Sequence, residues 1–301
     1  SDMVGFWRTQ VIKAAVDLGT FEALPGKASE IEQALDLASN AGLRLLRALG
    51  ELELVSKLED GTWMVTEKGS VLVSSSEPSL AAASDLWGTE QYIAWMDLAQ
   101  ALRTGQPSFP NRYGEQYFSW VGNTEEKLNK YHTALTAYAR HDYGKIPQLL
   151  DLPSNAGIID AGGGYGDLLF SILRAKSTLA GYLLDRTEVI NGTTIPQELD
   201  KRCQLIAGDI FSPWAVSADI VLLTRVLHDW PDDKAVEILK RAHDALDTNG
   251  HLYVIEMVLD EQGYLGGMLD LNMMVITGGR ERYLKQWEYF FKEAGFTLVS
   301  N

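Results

Sequence analysis

The chain is short of cysteine, of basic residues and of long apolar runs, and each shortage removes a class of function. A single cysteine, Cys203, occurs among 301 residues. It leaves no internal disulfide and no cysteine-based metal cluster, and it points to the cytosol. Lys and Arg number 26 against 41 Asp and Glu, a net charge of −15. The cations that bind a phosphate backbone are outnumbered, and no Lys/Arg-rich run compensates, so nucleic acid is not the expected partner. A small uncharged or aromatic molecule fits better. Charged residues interrupt every apolar stretch before the ~18 residues that a membrane span needs. The opening Ser1-Asp2-Met3 lacks the basic-then-apolar pattern of a secretory leader. What is present is an ordinary globular composition, 46% hydrophobic and 22% charged, in a length that suits two domains.

The first third reads as helices followed by a hairpin. Phe6, Val11, Ile12, Ala15, Val16 and Leu18 recur at helical spacing over 6–24. Ser29, with Glu32 three residues on, has the form of a capping box for a second helix. Ser39 precedes a third, with Leu43, Leu46 and Leu49 on one face. Two short alternating runs, LVSKLE and TWMVT, flank Asp60-Gly61, a turn dipeptide that predicts a β-hairpin. Helices before a hairpin give the winged-helix order. The third helix carries only Arg44 and Arg47 beside Glu51 and Glu53, which favours packing or dimerisation over DNA. Residues 78–104 and 115–150 predict further helices, divided by the Pro107–Pro110 region.

From residue 156 the pattern changes to short aliphatic strands alternating with helices at 167–175, 233–246 and 284–294, the signature of a parallel sheet covered on both faces. Ile158 to Asp167, IIDAGGGYGD, is a strand running through a glycine turn into a helix. The glycines suit a backbone that must turn tightly and approach a ligand, although a plain structural turn is the alternative. The dinucleotide fingerprint would need a small residue at 167, which is Asp. Asp185 ends the next strand, 19 residues beyond Gly166 (185 − 166), where an acid can accept from a ribose diol or simply be solvated. Gly208-Asp209-Ile210-Phe211 follows a third strand: an acid for an adenine amino group, with two apolar side chains to cover the ring. Three strand ends with Gly or Asp on one edge predict a nucleoside site.

Leu227-His228-Asp229-Trp230-Pro231 ends the fourth strand on that edge, and Glu256 ends the fifth. A carboxylate beside an imidazole can orient the ring and stabilise its protonated form. A surface ion pair is the bland reading of Glu256. The ordered strings DAGGGYGD, LLDR, GDIF, RVLHDWPDD, VIE and GGRER…AGF resemble the S-adenosylmethionine-dependent O-methyltransferases of the plant caffeic-acid type and of bacterial secondary metabolism. The likeness spans nearly the whole chain.

The resemblance implies a class I methyltransferase fold, α/β with a Rossmann-like doubly wound sheet, and an N-terminal helical winged-helix-like dimerisation domain. The boundaries read as 1–105 for the dimerisation domain, 106–150 for a linker with substrate-pocket helices, and 151–301 for the catalytic domain. It implies His228 as general base flanked by Glu256 and Glu281. It places S-adenosylmethionine, released as S-adenosylhomocysteine, at Asp160, Gly162, Gly164, Gly166, Asp185, Arg186, Asp209, Ile210, Phe211, Arg225 and Trp230. It implies a homodimer and a small-molecule acceptor. Thr224 stands where many relatives have Lys, and Tyr283 where Thr is common.

The chemistry is coherent without a metal: the sulfonium is already a good leaving centre, and a phenol of pKa ~10 benefits from a base of pKa ~6.5. His228, Asp229 and Asp209 present no clear ligand set. Trp95, Met96, Phe118 and Trp120 are candidate apolar walls for the acceptor, and Arg140 is a candidate anion contact if it turns inward from Tyr138-Ala139-Arg140-His141-Asp142. Residues 295–301 read as a sixth strand. A final antiparallel strand is then missing from the chain or belongs to a longer polypeptide. Two other readings stand beside O-methylation: C- or N-methylation on the same scaffold, and a catalytically silent dimerisation or regulatory protein.

Overall fold

The structure is a computed structural model that describes residues 2–77 and 79–299, with His141 described in its backbone alone. It divides into two units, residues 1–92 with 133–141, and 93–132 with 142–301.

In the first unit, helices α1 (Phe6–Asp17), α2 (Ala28–Ala34) and α3 (Ala41–Glu51) precede strands β1 (Val55–Lys57) and β2 (Trp63–Val65). The two strands pair antiparallel around Asp60-Gly61, as the turn dipeptide predicts. Ala15, Phe21, Ile31, Leu46, Leu49 and Trp63 form the core. The first helix is shorter than its apolar spacing suggests: it stops at Asp17, ahead of Gly19 at φ 70°, because glycine accepts the left-handed conformation that ends a helix. Helix α2 starts before the expected Ser29 cap. Glu30 Oε2 accepts from the Lys27 N–H at 2.7 Å, which leaves Ser29 inside the helix. Glu32 bonds elsewhere, accepting from the Leu43 N–H at 3.1 Å and so tying α2 to α3.

The second unit is built on a parallel sheet of β3 (Gly157–Ala161), β4 (Ala180–Asp185), β5 (Cys203–Ala207), β6 (Ala218–Thr224) and β7 (Leu246–Ile255), in the order β5-β4-β3-β6-β7. The aliphatic runs are continuous because successive residues serve opposite faces. Ile158, Ile220 and Leu222 pack with Leu169, Ile172 and Leu173 of the 167–175 helix. Ile159, Val221 and Leu223 pack with Ile238, Leu239 and Ala242 of the 232–245 helix and with Trp287 of the 284–293 helix. The strand order reverses between β3 and β6, which opens a crevice at their carboxyl ends.

The stretches 78–104 and 115–150 are helical as expected, in short pieces at 81–88, 90–95, 98–104, 117–122, 125–142 and 146–149, with a further helix at 109–113 between them. Gly105 and Gly114, both in left-handed backbone, end two of them. Residues 296–299 are not a strand, contrary to the expected sixth strand; 300 and 301 lie outside the described residues. A short parallel pair, β8 (Val258–Leu259) with β9 (Arg282–Tyr283), was not anticipated.

Candidate active site

The glycine turn leaves β3 at the crevice. Asp160 is buried, with its Oδ1 lacking any partner, and burial together with the charge of Asp185 pushes it up to about 7. Gly162 and Gly164 sit at φ 73° and 59°, a conformation that L side chains rarely adopt. A Cβ on Gly163 would meet Asp160 Oδ2 at 2.5 Å, so the loop can cross its own aspartate only as glycine. Asp185, at the end of β4, holds the loop: its Oδ2 accepts from the Gly164 N–H at 2.8 Å and its Oδ1 from the Arg186 N–H at 2.7 Å. Burial still raises it to about 6 against those bonds.

The remaining candidate nucleoside residues cluster around an aromatic row. Trp230 stacks on Phe118 with centroids 5.9 Å apart and meets Phe211 edge-on at 4.7 Å. Arg186 donates to the Phe118 carbonyl at 2.9 Å and pairs with Glu188 at 3.0 Å. Asp209 is exposed, its Oδ1 capping the Phe211 N–H at 3.0 Å, and Ile210 is half-buried beside them. The structure therefore brings Asp160, the glycines, Asp185, Arg186, Asp209, Ile210, Phe211 and Trp230 to one edge of the sheet. Thr224, the last residue of β6, has a buried hydroxyl with no partner on the same edge.

His228 stands in the loop after β6, buried, with both ring nitrogens engaged. Nδ1 lies 2.9 Å from Glu281 Oε1 and Nε2 3.1 Å from the Arg225 carbonyl. Both neighbours are acceptors, so this geometry is satisfied by an imidazolium. Burial lowers the pKa of the ring, but the charges of Asp229 and Glu256 and the bond to Glu281 outweigh it, and the net shift is upward.

The ring's carboxylate partner is Glu281. Glu256, expected beside the imidazole, instead holds the backbone: its Oε1 accepts from the N–H groups of Val226, Leu227 and His228 at 3.0, 2.9 and 3.3 Å. Ligand atoms of His228, Glu256 and Glu281 lie within 4.8 Å of one another, a spacing that suits a cation. The guanidinium of Arg225 is that cation, 3.2 Å from Glu256 and 2.8 Å from Glu281. Arg225 thus belongs to the cluster around His228, with its backbone at φ 54°.

Two residues carry structural weight that the motifs did not reveal. Arg282 is fully buried and donates to the carbonyls of Leu227 at 2.9 Å and Trp230 at 2.7 Å and to Asp232, which fixes the loop on both sides of His228. The sole hint was its place in the GGRER string. His132, on the 125–142 helix, packs against the glycine loop, and a Cβ on Gly164 would meet its Nδ1 at 3.0 Å.

The acceptor candidates divide. Phe118 stacks on Trp230. Trp95 donates to Asn272 at 2.7 Å, Trp120 packs on Phe109 and Tyr113, and Met96 is exposed. Arg140 does not turn inward: it pairs with Glu77 at 2.7 Å at the surface. The side chain of His141 lies outside the described residues.

A family model described as an O-methyltransferase domain matches residues 95–297, and one described as an O-methyltransferase dimerisation domain matches 2–75. The chain is 29% identical to a phenazine O-methyltransferase of Lysobacter antibioticus, over 98% of this chain and 89% of that one. It is 31% identical to a 3-amino-4-hydroxybenzoate 4-O-methyltransferase of Streptomyces cremeus, over 99% and 84%. The structure of human N-acetylserotonin methyltransferase in complex with S-adenosylmethionine superposes with a TM-score of 0.90 at 27% identity, covering 97% of this chain and 89% of that one.

Proposed function

This chain belongs to the O-methyltransferase family and is an S-adenosylmethionine-dependent O-methyltransferase of secondary metabolism, and from that membership we propose that it methylates a phenolic or enolic hydroxyl with His228 as general base. The observation that carries this reading is the His228–Glu281 bond at 2.9 Å at the crevice edge. With Nδ1–H held by the carboxylate, loss of a proton leaves the lone pair on Nε2. A lone pair facing the Arg225 carbonyl is repulsive, so the neutral ring is driven off that partner and toward an acceptor hydroxyl. Glu256 and Arg225 keep the loop and the charge balance in place.

The cofactor fits the glycine edge. Asp160 Oδ1 and Thr224 Oγ1 are buried polar atoms in want of a partner, and Gly162, Gly163 and Gly166 leave no room for a Cβ. Gly162, Gly164 and Gly166 would carry the methionine part. Asp185 would take the ribose, and Asp209, Ile210, Phe211 and Trp230 the adenine. Arg186 and Arg225 would border the site. The bound cofactor supplies an electrophilic methyl group. The aromatic row Phe118–Trp230–Phe211 suits the flat adenine ring, and we propose a flat aromatic acceptor in keeping with the phenazine and hydroxybenzoate named for the two relatives. We assign 1–105 to dimerisation, 106–150 to a linker with pocket helices and 151–301 to catalysis, and propose a homodimer.

Incubation with S-adenosylmethionine and a panel of small phenols should yield a product heavier by one methyl group. His228→Ala should lower turnover ~10²–10⁴-fold, the usual worth of a positioned base, while cofactor affinity stays close to that of the parent. Near-normal turnover of His228→Ala on a neutral hydroxyl would mean that another residue is the base.

A further inference from the structure

His132 has no part in the reading above, yet it is built into the same edge. The residue is 7% exposed, its ring stacked on Tyr165 of the glycine loop at 4.5 Å between centroids and edge-on to Tyr131 at 5.1 Å. Nδ1 faces Gly164, where even a methyl group would come within 3.0 Å. Nε2 is buried and has no hydrogen-bond partner. A buried ring nitrogen in that state is unfavourable until something completes it. The position is rigid, because Tyr165 is itself anchored through its hydroxyl to Asn129 on the 125–142 helix.

The charges around the crevice indicate what completes it. Burial first, and the cation of Arg186 second, push His132 down to about 4, so the ring is neutral at physiological pH and has an N–H to offer. Arg186, itself paired with Glu188 at 3.0 Å, is the charged group that acts on the ring. Asp160, buried at the end of β3 with Oδ1 lacking a partner, suits an ammonium instead. S-adenosylmethionine ends in an amino acid and carries both groups.

We propose that His132 is a cofactor-binding residue whose Nε2–H donates to the methionine carboxylate of S-adenosylmethionine, and that position 164 is glycine to make room for this imidazole. The proposal rests on the glycine loop being the cofactor site. It adds a residue from outside the sheet to that site, and with it a specificity for the carboxylate.

The test is calorimetric and needs no turnover. S-adenosylhomocysteine and its decarboxylated analogue are titrated into the parent chain, His132→Ala and His132→Gln, with thermal melts to show that each variant is folded. In the parent, S-adenosylhomocysteine should bind the tighter. His132→Ala should weaken S-adenosylhomocysteine ~10-fold or more, the worth of one hydrogen bond to a charged group, and the decarboxylated analogue less than ~2-fold. His132→Gln, which keeps an N–H donor, should recover most of the loss. Equal losses for both ligands, or no loss in either variant, would overturn the role of His132. Failure of the parent to bind S-adenosylhomocysteine at all would instead overturn the reading of the glycine loop.

Discussion

His228 titrates under opposed influences, burial against the charges of Asp229, Glu256 and Glu281, and the charges prevail. Under the proposal that His228 is the base, it works in its neutral form, so kcat/KM should rise with pH through a midpoint above the ~6.5 of an ordinary histidine. For stability the sign is the reverse: a raised histidine stabilises the fold below its unfolded pKa, and that contribution is lost as pH rises through the folded value. Glu281→Gln keeps a hydrogen-bond acceptor but removes the charge bonded to Nδ1. The ring's pKa should then fall, and the acid limb of the kcat/KM profile should move to lower pH with a reduced plateau. A limb that stays in place would show that Glu281 does not set the titration of the base. The motifs pointed to His228, Glu256 and Glu281 as one group. They were silent on which carboxylate holds the ring and which the backbone, because that division depends on distances between strands far apart in sequence.

Among the elements, the segment that carries Glu281 is held by contact as much as by bonding. The Arg280 N–H donates to the His228 carbonyl at 2.8 Å, and a Cβ on Gly279 would lie 2.0 Å from that same oxygen. Gly279→Ala must therefore push β9 and Glu281 away from the imidazole. Overpacking of this kind costs about 1–3 kcal/mol, which urea unfolding would read, and turnover should fall with it. Unchanged stability and turnover would show that the loop yields freely. Elements with strong periodicity and clean ends were legible: the 167–175 helix and the strands before and after it occur as the sequence predicts. The region from 78 to 150 was not, because its apolar residues serve several short helices. Phe109, Tyr117 and Val121, for example, share one core with Val275 and Ile276. Apolar spacing reports that a residue is buried, and not which partner buries it.

For the whole molecule, the apolar side chains left outside the core matter most. Met3, Phe6 and Trp7 are 88%, 47% and 59% exposed at the start of a region matched by a dimerisation-domain model. Exposed aromatics grouped on one short stretch favour a partner surface. The chain should run as a dimer in light scattering at micromolar concentration, and Phe6→Glu combined with Trp7→Glu should shift it to the monomer mass with its thermal transition retained. A parent that is monomeric, or a double variant that stays dimeric, would place the interface elsewhere or remove it. Among the described residues no helix is long and apolar enough to cross a membrane, in line with the charge interruptions along the sequence.

The sequence by itself determined the parallel sheet, the glycine turn after its first strand, and the acids and the histidine at the strand ends. These follow from local rules, since a buried strand must be apolar on both faces and a turn at φ near +60° calls for glycine. The tertiary structure alone decided that Glu281 rather than Glu256 faces the imidazole, that Arg225 fills the space between them, that a buried Arg282 clamps the loop, and that His132 reaches Gly164. Each depends on where distant segments cross, because polar groups in a buried site take the partners that packing brings within about 3 Å.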